Sequence, residues 1–302
     1  MKQKKGMLIL TGILGALLIL YAGLCIYNRN AQKEKADKEE AEKIYLADVK
    51  TDEMESLEYT DGENTMSFVK EEDQWYCKED REIELVQDKV EEIAKAVADL
   101  TAVRRLQDPD ELSDYGLEKP GYTIRCRAGD GEKTIAIGDM TGENYYATVG
   151  DTGEVYTIAG DILTTLSFEM SDVAELDNVP TIGSGNIKKV EVSQNGETIG
   201  YTEDEDLQEL AGGFGVLELS DCVDFHATEE ELGGYGLDEE NRITASADYK
   251  DSESGETENF TVYIGGTDDS GTYRYVMAKD SIRVYRVSKE IVDNMITVGE
   301  GE

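Results

Sequence analysis

The chain is short of the residues from which active sites are usually built. Its 302 residues include one histidine, His226, and four cysteines, Cys25, Cys77, Cys126 and Cys222. No two cysteines form a CxxC pair, so a Cys/His zinc site has no support. A serine or cysteine hydrolase with a histidine base would have to use His226. That residue sits in Asp224-Phe225-His226-Ala227 before Glu229-Glu230-Glu231, with no nucleophile motif beside it. The expectation is a solvent-exposed or locally bonded loop histidine. Basic residues are also scarce: 29 Lys and Arg stand against 67 Asp and Glu, for a net charge of -38. Such a surface repels phosphate backbones and anionic headgroups, which excludes sequence-independent nucleic-acid binding. It keeps an exported domain soluble and can attract cations or a basic partner.

Other chemistries lack their patterns. Gly138-Asp139-Met140-Thr141-Gly142 is too loose for a phosphate loop and lacks the Gly-Lys-Ser/Thr ending. The acidic turns Asp251–Glu256 and Asp268–Gly271 do not fit the twelve-residue calcium loop, and Asp, Ser and Gly are ordinary turn residues. A carboxylate pair could serve a glycosidase, but with so many acidic residues no pair stands out. No catalytic residue, no cofactor and no metal is expected.

The strongest signal present is Met7–Tyr27, an uncharged apolar run long enough to cross a bilayer as a helix. A cleaved signal peptide needs a shorter run and an A-x-A-like site, which is missing. A lipoprotein needs a small residue before its cysteine, and Leu24 precedes Cys25. An uncleaved anchor remains. Residues 1–6 form a basic tail and 28–43 a charged stalk, either a polar helix with Glu34/Lys38 and Glu39/Lys43 pairs or a disordered linker. Counting only Lys and Arg favours keeping the stalk side inside. The all-basic tail is hard to translocate, and long domains cross regardless of charge, so the bulk of the chain is expected outside the cytoplasm.

Beyond the stalk the chain repeats itself. The first copy begins Tyr115-Gly116-Leu117 and the second Tyr235-Gly236-Leu237. Each continues through an alternating strand, a Gly-rich turn, a second strand ending Ile137-Gly138 or Ile264-Gly265, and a tyrosine-rich hairpin. Hairpins are expected at Ser56–Thr60 with Thr65–Lys70, Tyr122–Ala128 with Lys133–Ile137, Tyr145–Val149 with Val155–Ala159, and Lys188–Ser193 with Thr198–Thr202. Ile243–Tyr249 pairs with Asn259–Ile264, and Tyr273–Met277 with Ile282–Val287. Trp75–Cys77 and Ile83–Leu85 read as short strands. Val90, Ile93, Ala94, Val97 and Leu100 make one helical stripe within Val86–Leu100. Glu111–Tyr115 reads as one helical turn ended by Gly116. Further helices are expected at Asp161–Leu166, capped by Asp161, at Asp204–Ala211, and at Lys289–Met295, capped by Ser288.

The class is therefore α+β: two tandem repeats of antiparallel hairpins with short helices, at 44–178 and 187–298, joined by a linker at 179–186. Cys77 and Cys126 fall on predicted strands and either pair or remain buried thiols. The tyrosines at 145, 146, 156, 273, 275 and 285 form either a glycan platform or strand packing.

Tyr115-Gly116-Leu117-Glu118-Lys119-Pro120, Ile137-Gly138-Asp139, Tyr145-Tyr146 and Val155-Tyr156 resemble the bacterial family catalogued as domain of unknown function 4340. The second copy matches at Tyr235-Gly236-Leu237-Asp238, Ile264-Gly265 and Val284-Tyr285, and departs at Glu239-Glu240 and Gly266. The resemblance implies an envelope protein on one amino-terminal anchor, in some members beside gliding-type ABC transporters. It implies no known activity. The functional expectation is an extracytoplasmic, non-enzymatic interaction module, with a cell-wall or glycan-binding module as the alternative and a carboxylate hydrolase behind both.

Overall fold

A computed structural model describes residues 43–129 and 131–298. The basic tail, the apolar run 7–27, Cys25 and nearly all of the stalk lie outside the described residues. Among the described residues no helix is long and apolar enough to cross a membrane.

The fold is α+β, with antiparallel sheets and few, mostly short helices. In chain order, β1 (Ser56–Thr60), β2 (Thr65–Glu71) and β3 (Gln74–Cys77) lead to α1 (Gln87–Ala98) and β4 (Ala102–Arg105). A 3-10 turn (Leu112–Tyr115) precedes β5 (Tyr122–Ala128), β6 (Gly131–Thr141), β7 (Asn144–Val149) and β8 (Tyr156–Ala159). Two short helices follow, α2 (Asp161–Leu166) and α3 (Met170–Val173). Then come β9 (Ile187–Gln194), β10 (Glu197–Tyr201), α4 (Asp204–Gly215), β11 (Cys222–Asp224) and α5 (Leu232–Tyr235). β12 (Ile243–Lys250), β13 (Thr257–Thr267), β14 (Tyr273–Ala278), β15 (Val284–Ser288) and α6 (Lys289–Ile296) complete the chain.

One sheet runs β3-β2-β1-β5-β6-β7-β8-β4 and the other β10-β9-β12-β13-β14-β15-β11. Once β3 is set aside, the two orders are the same. Each has a hairpin, then a four-strand meander, then the strand that follows the long helix. The chain divides into two compact units, one of residues up to Ser67 with Glu91–Leu166, the other of Phe68–Val90 with Ser167 onward.

In the second unit, alternation builds the inner face. β12 buries Ile243, Ala245, Ala247 and Tyr249 and turns Thr244, Ser246 and Asp248 outward. Helices α4 and α6 cover that inner face with Leu207, Leu210, Phe214, Val292 and Met295. α4 carries Gly212 and Gly213, each costing about 1 kcal/mol in a helix interior. Burying a large apolar side chain returns about 1.5–3 kcal/mol, so Phe214, 1% exposed, offsets them. The helix therefore runs to Gly215, past the Ala211 expected from periodicity. The expected stripe is buried in full, from Val90 in α1 to Leu100 two residues past its end.

Five local expectations are corrected. Ile83–Leu85 is no strand: Leu85 alone makes a single bridge, to Ala174. β6 does not stop at Ile137 but continues to Thr141 through a bulge between Ile137 and Met140. β15 begins at Val284, so Ile282 stands outside it and is 53% exposed. Ser288 occupies the N-cap position of α6 without a side-chain cap bond, and Asp161 is the first residue of its helix rather than the cap before it.

Candidate functional site

The residues that recur in the sequence meet in space, once in each unit. In the first, the 3-10 turn ends at Gly116, with φ 70° and ψ 11°. Only glycine adopts this left-handed conformation without penalty. The Leu117 N–H reaches back to the Leu112 carbonyl at 2.9 Å, the bond that closes a Schellman motif. In the second unit Gly236 has φ 69° and ψ 23°, and Leu237 N–H bonds the Leu232 carbonyl at 2.9 Å. Leu117 and Leu237 are then driven into small apolar clusters, with Val155 in one and with Met277 and Val284 in the other.

The Ile-Gly of each repeat completes the contact. A Cβ on Gly138 would stand 2.2 Å from the Tyr115 carbonyl oxygen, and a Cβ on Gly265 would stand 2.2 Å from the Tyr235 carbonyl oxygen. The glycine lets the turn lie directly on the strand, at the bulges of β6 and β13. The motif tyrosines pack against a tyrosine of the next strand: Tyr115 tilted against Tyr146 with centroids 4.8 Å apart, Tyr235 edge-on to Tyr275 at 5.0 Å. The Tyr115 hydroxyl accepts from the Asp110 N–H at 3.0 Å, whereas the Tyr235 hydroxyl donates to Asp224 Oδ2 at 3.0 Å. Burial, then the Asp224 carboxylate, pushes the Tyr235 phenol up to about 12. Tyr115, Gly116, Leu117 and Gly138, and Tyr235, Gly236, Leu237 and Gly265, thus form two equivalent clasps. Their work is to hold a turn against a bulged strand.

The other nominated residues are dispersed. Tyr156 and Tyr285 are buried, Tyr146 and Tyr275 belong to the clasps, and Tyr145 meets Tyr122 edge-on at 6.5 Å. Tyr273, 39% exposed, lies under Arg286. Cys77, Cys126 and Cys222 are free and buried. Burial pushes the Cys126 thiol up to about 11 and the Cys222 thiol to about 12, away from the reactive thiolate. Asp251 and Asp268 close their own turns by accepting backbone N–H groups of Ser254 and Tyr273. Among the described residues no group of three His, Cys, Asp or Glu side chains could hold a metal ion.

His226 departs from the solvent-exposed reading. Its side chain is 26% exposed, and Nε2 lies 3.4 Å from Asp80 Oδ2. That nitrogen is buried and its approach to Asp80 is off a hydrogen-bond line. The local bond is to its backbone, whose N–H donates to Asp224 Oδ1 at 3.0 Å.

Two polar arrangements had no sequence signal. Asp177 accepts from Ser281 at 2.5 Å, Tyr285 at 2.9 Å and Arg283 at 3.2 Å, and its own N–H donates to the Tyr285 hydroxyl. Burial raises the Tyr285 phenol far above its ordinary range. Arg286 makes two bonds to the Asp221 carboxylate at 2.9 and 3.2 Å. These partners lie 65 to 108 residues apart, so no local pattern announces them.

A family model described as domain of unknown function (DUF4340) matches residues 75–221. That stretch holds the whole first clasp and ends before the second. No curated protein and no solved structure matches the chain. Over residues 75–221, which carry the first Tyr-Gly-Leu turn and its Ile-Gly bulge, the chain is similar to the DUF4340 family.

Proposed function

We propose that this protein is a membrane-anchored, extracytoplasmic interaction module built from a duplicated α+β unit, and that it acts by binding rather than by catalysis. One observation carries the reading. The two sheets share a strand order, and the chain's most distinctive residues are used in both to clasp backbone to backbone. A scaffold duplicated in this way presents surface twice. The anchor is the apolar run 7–27, with the basic tail inside and the units outside. The partner is a protein of the envelope, and the ABC transport complexes that the family resemblance implies are the first to examine. The test is crosslinking in intact cells followed by affinity isolation from gently solubilised membranes. The expected result is one protein recovered in constant proportion. Repeated recovery of the chain alone contradicts the reading.

A glycan-binding role has one observation in its favour. The outer face of the second sheet has a shallow concavity of about 500 Å³ lined by Ser193, Thr198, Thr244, Ser246, Asn259 and Thr261. At its rim the Arg242 guanidinium stacks 3.8 Å from the Tyr263 ring. Retention on purified wall polymer, lost in Tyr263→Ala, supports this role, and retention unchanged by that substitution removes the concavity from it.

A further inference from the structure

A β-sheet ends in edges whose unpaired N–H and C=O groups can accept another strand, and folded proteins usually close them. Among the described residues the two sheets have four edge strands: β3 and β4 in one, β10 and β11 in the other. Three are covered. On β3, the Trp75 N–H donates to Gln87 Oε1 at 2.7 Å, and the Trp75 carbonyl accepts from Gln87 Nε2 at 3.1 Å. On β11, the Cys222 N–H donates to Ser171 Oγ at 3.0 Å, and its carbonyl accepts from the same hydroxyl at 3.3 Å. Beside β4, the Ala102 N–H donates to the Ile44 carbonyl at 2.9 Å, Tyr45 bridges Thr101, and Arg104 and Arg105 add charge.

β10 is different. Among the described residues no side chain or chain segment covers its outer edge. Four of its five residues are exposed, and Ile199 is 58% exposed. It contains no proline, lysine or arginine. Its outward groups can be assigned from the hairpin. Asn195 and Gly196 have φ 54° and 80°, the two positive values of a type I′ turn, which makes Gln194 and Glu197 the closing hydrogen-bonded pair. Alternation then directs the backbone groups of Ile199 and Tyr201 to β9, and those of Thr198 and Gly200 outward.

Charge selects the occupant. Glu197 opens the strand, and Glu203, Asp204, Glu205 and Asp206 follow it into α4. Two copies paired edge to edge would bring both acidic runs to one seam, each on a chain of net charge -38. A basic strand meets the same edge with opposite sign, and an apolar residue in it covers Ile199. We propose that β10 binds an extended segment of a partner protein as an added strand, the segment alternating apolar residues with lysine or arginine. This rests on the interaction-module reading and gives it a place.

The test uses the full chain in detergent with an eight-residue capped peptide alternating lysine and valine, and a glutamate–valine peptide as control. Amide hydrogen exchange is read residue by residue. The lysine–valine peptide is expected to slow the Thr198 and Gly200 amides at least tenfold, leave Ile199 and Tyr201 unchanged, and lose affinity as salt rises. The control is expected to do nothing. Thr198→Pro removes an outward N–H and no ladder bond, and is expected to weaken binding at least tenfold. Ile199→Lys, which keeps every backbone group, should do the same should the proline disturb the hairpin. No slowing at Thr198 and Gly200, or slowing elsewhere only, overturns the proposal. So does concentration-dependent protection of these amides without peptide, which would mean self-pairing. A membrane partner still recovered by Thr198→Pro leaves the module reading standing and removes β10 from it.

Discussion

Replacing Gly265 with alanine places a methyl carbon 2.2 Å from the Tyr235 carbonyl oxygen, more than 1 Å inside ordinary contact, which begins at 3.4 Å. Neither side yields easily. Gly265 lies in β13, which is paired to β12 and β14 on either flank. The Tyr235 carbonyl belongs to a turn closed by the Leu237-to-Leu232 bond and pinned by the buried Leu237. The strain must be relieved by separating turn from strand, which also loosens the edge-on Tyr235–Tyr275 contact. Overpacking of a closed core costs about 1–3 kcal/mol, and a backbone-on-backbone clash belongs at the top of that range. A loss of ~3 kcal/mol shifts the thermal midpoint of a unit this size by about 10 °C. Equilibrium urea unfolding of Gly265→Ala is the assay. Gly183→Ala is the control, because nothing lies within 4 Å of its added Cβ. The control should stay within about 0.5 kcal/mol of the parent. Gly138→Ala should weaken the first unit as Gly265→Ala weakens the second. A Gly265→Ala protein that unfolds with the parent would refute the clasp.

Other outcomes follow from the same contacts. Gly212 and Gly213 are neighbours in α4 with opposite forecasts. Gly212→Ala meets open space and should stabilise by about 0.5–1 kcal/mol, whereas Gly213→Ala meets Met295 at 2.6 Å and should destabilise, as thermal unfolding of both will read. Asp177→Ala strands Arg283, Ser281 and Tyr285 together and should cost about 3 kcal/mol, against about 1 kcal/mol for Tyr285→Phe; equal losses would contradict the network. The Tyr59 and Tyr235 phenols are held at about 12 and the Cys126 thiol at about 11, each above its unfolded value. Their contributions are complete at neutral pH and are lost as pH rises through the folded values, so the urea midpoint should fall between about pH 9, where the unfolded thiol begins to ionise, and pH 12. A midpoint unchanged to pH 12 would contradict the burial of these groups. Cys77, Cys126 and Cys222 should react with a thiol reagent only after denaturant is added; prompt labelling at any of these three positions in the native chain, Cys25 aside, would show a thiol that is not enclosed.

What could be read from the sequence was what short-range physics dictates. Asn195-Gly196 and the alternation around it specify the β9–β10 hairpin, and the apolar stripe from Val90 to Leu100 specifies α1. The clasps were visible as a repeat because their demands are local: a left-handed glycine before a buried leucine, and a strand glycine with no room for a side chain. That visibility gave no clue to their purpose, since a glycine kept for steric reasons looks the same as one kept for a ligand. The short strands β4 and β11 escaped because Ala102–Arg105 and Cys222–Asp224 have no alternating pattern and earn their place through β8 and β15. Ile83–Leu85 looked like a strand because it alternates, yet only Leu85 finds a partner. The Asp177 network and the edge covers supplied by Gln87 and Ser171 depend on distant residues whose own neighbourhoods are unremarkable in composition. An uncovered edge such as β10 is equally silent in sequence, because it is defined by what the rest of the chain does not do.

The most direct test of the account is protease added to intact cells, with the size of the chain measured before and after. The account predicts a starting chain of full length, which keeps the apolar run 7–27, and loss of both units to protease from outside. Units that survive in intact cells and are lost only after lysis would place them inside, and would contradict an extracytoplasmic module that meets its partner in the envelope.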